Sequence, residues 1–264
     1  MATTEHTPQD GDEPEEMSFL DHLEELRWRI VKAILGILVG AILCWIFIDQ
    51  IINGVLLRPI IAINNTLGPG QQPIRLQNLK PFGQVFLYME VAFVGGLILS
   101  VPNILYQIWA FIAPGLMPKE RRYIRWIVFF TSFCFLAGIA FAYFVMLPSA
   151  LQFFAVFGTN AIENNIAINE YMSFIISVML GAGVVFELPM VAWFLSKLGF
   201  LTPTFMRRYR RHAIVGILIL AALLTPGTDP VSQILLTIPL VFLYEISIGV
   251  SAMAVRAKQS GTTT

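Results

Sequence analysis

Three charged side chains near the start of the chain are spaced to share one face of a helix. Asp21, Glu25 and Arg29 recur at four-residue intervals within the stretch SFLDHLEELRWRI. Glu25 and Arg29, in this order, favour a helical ion pair that contributes a few tenths of a kcal/mol, which is a purely structural explanation. Asp21 and Glu25, by contrast, repel each other. Their placement on one face favours a site that binds a cation from outside this helix.

A further acid, Glu187, lies in the middle of an apolar run with no compensating charge nearby in sequence. Inserting an acid at mid-membrane costs on the order of 3 kcal/mol, so this carboxyl is expected to face a bundle interior or a cavity. Pro189 removes a backbone donor and loosens the preceding turn. A protonated or hydrogen-bonded packing residue is the structural alternative to a functional polar site. Ser232 and Gln233 are predicted partners of Glu187 if the sixth apolar segment packs on the fourth.

The elements that must position these residues are membrane helices. The 264 residues are 56% hydrophobic and only 13% charged, with a mean hydropathy of +0.72, which a water-soluble domain does not sustain. The predicted fold class is all-α, an integral membrane protein with six transmembrane helices. The six apolar segments are 30–48, 85–106, 123–145, 172–195, 213–224 and 231–250.

Basic residues are distributed asymmetrically between the loops. They cluster before the first segment, between the second and third, between the fourth and fifth, and after the sixth. Residues 146–171 and 225–230 contain no Lys or Arg, and the first loop contains only three, spread over its length. Because Lys and Arg in short loops remain on the cytoplasmic side, both termini are predicted to be cytoplasmic.

The last two spans are predicted to be short. Segment 213–224 rises only about 18 Å at about 1.5 Å per residue, against a hydrocarbon core of roughly 30 Å. Alternatively, the span extends beyond these predicted bounds, since Arg211 and His212 could add a turn. Pro239 and Glu245 are predicted to limit the sixth span.

The chain is predicted to have three regions. Residues 1–16 are acidic and lack an apolar core, which predicts a disordered tail; 17–255 form the six-span membrane domain, and 256–264 a cytoplasmic tail. The first outer loop is predicted to form an interfacial helix followed by an irregular turn, and the second to cap the outer face. Gly36, Gly40 and the pair Gly181 and Gly183 are predicted to let helices approach closely.

Familiar catalytic and metal-binding patterns are absent from the sequence. His6, His22 and His212 are scattered without metal-ligand spacing. Cys44 and Cys134 lie within apolar runs, which favours small buried side chains over a disulfide or a metal pair. The sequence therefore predicts neither a cofactor nor a bound metal, and it favours a protein that is not an enzyme.

Several ordered motifs resemble the TatC family, the multispanning signal-peptide receptors of the twin-arginine protein translocase. The resemblance covers about residues 18–250. Its motifs, in chain order, are HLEELRWRI, SVPNILYQIWAFIAPGL followed by KERR, FAYFVMLP, FELP, LLTPGTDPVSQ and FLYE.

The resemblance implies a receptor that binds the paired arginines of a signal peptide through the acids matched by Glu25 and Glu120. Phe111 then packs against the peptide, and Glu187 and Gln233 form an intramembrane polar site that docks partner subunits. For Glu120, which is flanked by Lys119 and Arg121, a local solvated ion-pair cluster is the structural alternative.

The implied assembly contains TatA- and TatB-like single-span proteins, in the cell inner membrane, and exports folded proteins with the energy of the proton gradient. A homo-oligomer within the complex is also expected. One rival hypothesis is a small-solute secondary transporter with Glu187 as its proton or ion site, which should show paired halves with broken helices; the sequence contains no convincing internal repeat. A membrane-embedded enzyme is the second rival, and it lacks a catalytic constellation.

Overall fold

A computed structural model describes residues 19–68, 73–112, 124–156, 165–224 and 230–260, and the described chain is almost entirely helical. The predicted tail at 1–16 lies outside these ranges. Two π-helical turns, Ile52–Leu56 and Ala142–Met146, and two short strands, β1 (Arg75–Gln77) and β2 (Asn165–Ala167), interrupt the helical structure. The α-helices are α1 (Phe19–Ile46), α2 (Ile48–Ile51), α3 (Arg58–Thr66), α4 (Gly83–Ile112), α5 (Ile124–Phe141), α6 (Leu147–Val156), α7 (Ile168–Val185), α8 (Leu188–Leu198), α9 (Pro203–Arg208), α10 (Arg210–Leu224) and α11 (Pro230–Ser260).

Five helical stretches of the described chain are long and apolar enough to cross a membrane. They contain most of the first four predicted segments and of the sixth, so the prediction of an all-α, multispanning membrane protein is confirmed. The number of six spans stays a prediction. The five stretches are Asp21–Ile46, Gly83–Ile112, Ile124–Ala155, Ile168–Leu198 and Leu236–Arg256.

The fifth predicted span corresponds to α10, which has 15 residues. At about 1.5 Å per residue it is roughly 22 Å long, still shorter than a hydrocarbon core of about 30 Å. α10 begins at Arg210, so Arg211 and His212 belong to it and the predicted start at residue 213 was too late. Crossing a membrane with this helix requires a locally thinned bilayer or polar flanks that reach the interface.

The sixth span is longer than predicted. α11 has 31 residues, and its apolar stretch Leu236–Arg256 has 21 residues, enough for a span of about 31 Å. The prediction of a short sixth span is therefore wrong. Pro239 lies inside the continuous helix, and Glu245 does not end the span because Arg210 binds its carboxylate.

The two predicted outer loops fold together into a layer of short helices, which we call the cap. Helix is present in the first loop, as predicted, but side chains of α2, α3 and the first π-helical turn are buried against α4, α6 and α7. β1 and β2 pair in parallel, with Leu76 opposite Ile166; this small sheet was not predicted. Asn64 fixes the chain before β1, since its side chain donates to the carbonyl of Ile74 and accepts from the Ile74 amide, both at 2.9 Å.

The first and second spans pack closely because small residues face each other. A Cβ atom on Gly40 would lie 2.6 Å from the carbonyl oxygen of Gly96, and a Cβ on Gly96 would lie 2.3 Å from the amide nitrogen of Ala41. The Ser100 hydroxyl donates to the carbonyl of Gly36 at 2.6 Å. This seam confirms the predicted role of Gly36 and Gly40, and it fixes the position of α1, much of whose remaining surface is exposed.

Small residues also join the third and fourth spans. A Cβ on Gly138 would lie 2.6 Å from the carbonyl oxygen of Ala182, and a Cβ on Gly183 would lie 2.9 Å from the ring of Phe135. The fourth and sixth spans are joined by buried hydroxyls, since the Oγ atoms of Ser196 and Ser251 are 2.6 Å apart. Each of the five long spans is therefore placed by at least one close polar or small-residue contact.

Candidate functional site

The amino-terminal end of α1 meets the carboxy-terminal end of α4. The ring of His22 on α1 stacks on the ring of Phe111 on α4, with centroids 4.3 Å apart and planes at 16°. Further along the interface between α1 and α4, the side chain of Asn103 donates to the carbonyl of Lys32 at 3.2 Å. This interface therefore contains polar contacts as well as small residues. Because α1 and α4 pack along their length, the amino-terminal end of α1 and the carboxy-terminal end of α4 keep a fixed relative position.

Glu25 lies one helical turn inside this stack. Arg29 donates from Nε to Glu25 Oε1 at 2.9 Å and also from a terminal guanidinium nitrogen to the same oxygen. The other oxygen, Oε2, faces His22, whose Nδ1 is 3.9 Å away. That distance exceeds a hydrogen bond. The Glu25 side chain is 27% exposed, so one oxygen holds a guanidinium and the other lies where a second donor can approach.

The helical ion pair predicted as the structural explanation for Glu25 and Arg29 is therefore present. The cation beside Glu25 comes from its own helix. Glu24, the neighbouring acid, is exposed and points away from this cluster by the geometry of a helix, in which adjacent residues differ by about 100°. The two acids of the HLEEL stretch thus lie in different environments.

The structure joins two of the three residues predicted to bind the peptide. Glu25 and Phe111 both contact His22, whereas Glu120 lies outside the described residues. His22 is the contact that the sequence did not reveal, because it was assessed only as a possible metal ligand. A signal was available: His22 lies three residues before Glu25, on the same face of the predicted helix.

Glu187 lies at a break in the fourth span. α7 ends at Val185, and α8 begins at Leu188, with Phe186 and Glu187 forming a turn. The Glu187 amide donates to the carbonyl of Val184 at 3.2 Å, a tighter pattern than that of an α-helix. Pro189 supplies no amide hydrogen to the following turn, so the predicted loosening of the helix before this proline is confirmed.

The carboxyl of Glu187 is only partly satisfied. Its Oε1 atom is buried and has no hydrogen-bond partner within the described part of the chain. The side chain lies near Cys134 of the third span. A buried oxygen without a donor is costly.

Gln233 serves a different contact. Its side-chain nitrogen donates to the carbonyl of Leu218 on α10 at 3.1 Å, so it ties the fifth segment to α11. The sixth span does pack on the fourth, as the predicted pairing required, but through Ser196 and Ser251. The amide nitrogen of Gln233 therefore does not satisfy Glu187 Oε1.

A second ion pair was missed from the sequence. Arg210, at the start of α10, donates to Glu245 of α11 at 2.7 Å. The hydroxyl of Tyr244 donates to the carbonyl of Met206 at 2.9 Å, so two adjacent residues of α11 hold the connection between the fourth span and α10. The 35 residues that separate Arg210 and Glu245 explain why a local pattern could not reveal the pair.

The fold and these sites define a class of protein: a multispanning helical membrane protein with an acidic helix entrance and an unsatisfied intramembrane carboxyl. The family model of Sec-independent protein translocase protein (TatC) matches residues 21–239. The chain belongs to the TatC family.

Named relatives are similar over nearly the whole chain. A protein of Koribacter versatilis called Sec-independent protein translocase protein TatC is 37% identical over 235 residues, which is 89% of this chain and 85% of the relative. The protein of the same name from Helicobacter pylori is 39% identical over 232 residues, 88% of each chain. Among solved structures, one described as the twin-arginine translocase receptor TatC superposes with a TM-score of 0.76 at 31% identity, covering 88% of this chain and 99% of that one.

Proposed function

We propose that this chain is the receptor subunit of a twin-arginine translocase, which binds signal peptides bearing an Arg-Arg pair and takes part in the export of folded proteins. Family membership supports the class of function. The observation that carries the specific proposal is the environment of Glu25, whose Oε1 already binds one guanidinium while its Oε2 lies 3.9 Å from His22 Nδ1, in a side chain that is 27% exposed.

A guanidinium is the ligand that this carboxylate suits best. The planar guanidinium of Arg can donate two hydrogen bonds to one carboxylate, whereas the ammonium of Lys is a compact point charge. An incoming arginine can donate to Glu25 Oε2, or it can replace Arg29 on Oε1. In either case the peptide binds beside the His22–Phe111 stack, which offers an aromatic surface to the residues that flank the arginine pair.

Two arginines require two acids. Glu25 is the first in this proposal, and Glu120 is the second, as the family resemblance implies. Glu120 belongs to the stretch KERR, which follows the second span in the sequence. The second acid is therefore proposed on the same side of the membrane as the α1 entrance.

The proposal is tested by the affinity of the purified chain for a fluorescent Arg-Arg signal peptide. Glu25→Gln keeps the shape of the side chain and removes its charge. Losing one charge-assisted hydrogen bond, at roughly 1.5–3 kcal/mol, should weaken binding about 10-fold to 150-fold. Glu24→Gln is the matched control, because it removes the same charge from the neighbouring, exposed position. Equal affinities of the two variants would contradict the role of Glu25.

Glu187 and Gln233 are proposed to contribute to the docking of TatA- and TatB-like single-span subunits. The buried Oε1 of Glu187 supports this, because it lacks a donor within the described chain and lies at a helical break inside the membrane. The Glu187 side chain is only half-buried, so a polar side chain on a partner helix could bind its carboxyl. Gln233 acts indirectly in this proposal, since it holds α10 against α11.

Site-specific crosslinking to a single-span partner tests the docking site. Glu187→Leu replaces the carboxyl group with an apolar side chain of similar size, so crosslinking along the fourth span should fall. Glu187→Gln retains an oxygen acceptor and should retain most of it. If the Leu variant crosslinks as well as the unaltered chain, the carboxyl has no part in partner binding.

The proposed location is the cell inner membrane with both termini in the cytoplasm. The distribution of Lys and Arg along the chain supports this orientation, which places Glu25 on the side where signal peptides are made. The proposed energy source is the proton gradient, and association of several copies within the complex is expected. Family membership does not favour the rival hypothesis of a small-solute secondary transporter.

A further inference from the structure

An apolar cavity of about 500 Å³ lies between the fourth span, α9, α10 and α11. Its volume falls within the range of roughly 300–1,000 Å³ that is typical of ligand sites. It shares no element with the His22–Phe111 site. Its walls are Leu188, Val191, Ala192, Leu195, Leu201, Phe205, Met206, Tyr209, His212, Ala213, Tyr244 and Ser247.

Two of the four polar side chains in the cavity wall, Tyr244 and Ser247, are already engaged by the protein, and the rings of the other two, Tyr209 and His212, pack against each other with centroids 5.6 Å apart. The hydroxyl of Tyr244 donates to the carbonyl of Met206, and that of Ser247 donates to the carbonyl of Leu243. The surface offered to an occupant is therefore hydrocarbon and aromatic ring. Such a surface suits an alkyl chain better than a polar solute, since a polar group buried there would lack partners.

The cavity opens at the protein surface. Val191 and Phe205, which belong to its wall, are 48% and 53% exposed, and Tyr209 is 41% exposed. It extends from the second half of the fourth span to the connection that leads into α10. Because the fourth span ends at Leu198, this opening lies in one leaflet of the bilayer, next to the interface.

Exposed arginines are neighbours in sequence of residues in the cavity wall. Arg207 and Arg208 directly follow the wall residue Met206, and Arg211 directly precedes the wall residue His212; all three are exposed. No Asp or Glu occurs from residue 188 to residue 224. Glu245 neutralises the fourth member, Arg210, through the 2.7 Å pair. The segment that forms one wall of the apolar cavity is thus strongly basic.

We propose that this cavity binds an anionic phospholipid, with an acyl chain in the apolar volume and the phosphate at Arg207, Arg208 and Arg211. A phosphate accepts paired hydrogen bonds from guanidinium groups. Basic pockets between membrane helices on the cytoplasmic side are suited to anionic headgroups. The lipid fills the space between α8 and α10.

The headgroup part of the proposal is tested by native mass spectrometry of the full chain with equimolar phosphatidylglycerol and phosphatidylcholine of identical acyl chains. The unaltered chain should retain phosphatidylglycerol preferentially. The double variant R207Q/R208Q should lower that preference about thirtyfold, from roughly fivefold per basic residue. R75Q/K80Q is the matched control, since it removes two exposed charges of the cap, and it should retain the preference.

The acyl-chain part is tested by filling the cavity. Ala213→Trp places a large ring in its wall and should reduce retention of both lipids. Gly216→Trp lies one turn along α10, at a position where an added Cβ has no atom within 4 Å. It controls for the added indole and should leave retention unchanged. Thermal unfolding of each variant establishes that it is folded.

Three results would overturn the proposal. The unaltered chain could retain the two lipids equally, or the variants could behave like their controls. Glycerol phosphate without acyl chains could also displace phosphatidylglycerol, which would identify a soluble anion as the ligand. None of these measurements depends on signal-peptide binding, so their failure leaves the proposed receptor function standing.

Discussion

Gly96→Ala should destabilise the chain more than its size suggests, because the added methyl group meets backbone rather than a flexible side chain. The Cβ would lie 2.3 Å from the amide nitrogen and 2.6 Å from the Cα atom of Ala41. Ordinary van der Waals contact begins at 3.4 Å. α1 must therefore move away from α4 by roughly 1 Å to relieve the overlap.

The contacts between α1 and α4 determine how much free energy of unfolding Gly96→Ala costs. Overpacking of this kind costs about 1–3 kcal/mol. The Ser100 hydroxyl now reaches the Gly36 carbonyl at 2.6 Å, and losing this hydrogen bond as α1 retreats adds about 0.5–1.5 kcal/mol. Replacing a helical Gly by Ala returns about 0.5–1 kcal/mol of backbone entropy. The free energy of unfolding should therefore fall by about 2 kcal/mol, within limits of about 0.5–4 kcal/mol.

Thermal unfolding of the purified chain in detergent measures this effect, and peptide affinity measures its consequence for the site. The seam sets the distance between His22 and Phe111, so Gly96→Ala should also weaken Arg-Arg peptide binding. Gly216→Ala is the matched control, because no atom lies within 4 Å of its added Cβ, and it should unfold at the same temperature or higher. Equal stabilities of the two variants would refute the close-packed seam.

Three further sets of substitutions test other contacts. His22→Ala should weaken peptide binding about threefold to tenfold, from an aromatic contact of roughly 0.5–1.5 kcal/mol, whereas His22→Phe should retain it; equal losses would exclude the stack. Arg210→Gln should destabilise the chain, and adding Glu245→Gln should recover about 1 kcal/mol because no unpaired charge remains; additive losses in unfolding measurements would contradict the pair. Ser251→Ala should cost about 1 kcal/mol for the lost Ser196 contact, and Ser251→Leu clearly more, since that site is fully buried; a Leu variant as stable as the Ala variant would contradict the packing.

The membrane helices could be predicted because their signal is local. The described part of the amphipathic entrance SFLDHLEELRWRI and the apolar run after it form the single helix α1, which begins at Phe19. Pro189 likewise predicted the break beside Glu187. The ends of α10 and α11 were predicted less accurately, because they depend on tertiary contacts. One of these is the ion pair with Arg210, which lets Glu245 remain inside a long helix.

The cap and the contacts within the sites could not be predicted in the same way. β1 and β2 have three residues each, too few for a pattern, and about 90 residues separate them in the chain. The His22–Phe111 stack likewise joins distant segments. Glu25, by contrast, was found from its spacing to Asp21 and Arg29, and Glu187 from its charge alone. The acidic residues of the candidate sites could therefore be predicted, whereas the distant contacts that position them could not.

The central claim is that this chain recognises paired arginines by the geometry of a guanidinium as well as by charge. The most direct test compares two signal peptides that differ only in Arg-Arg against Lys-Lys, by equilibrium binding to the same purified chain. The proposed site predicts at least roughly tenfold tighter binding of the Arg-Arg peptide, since each guanidinium can donate two hydrogen bonds to a carboxylate. Equal affinity for the two peptides would contradict the receptor function proposed for Glu25.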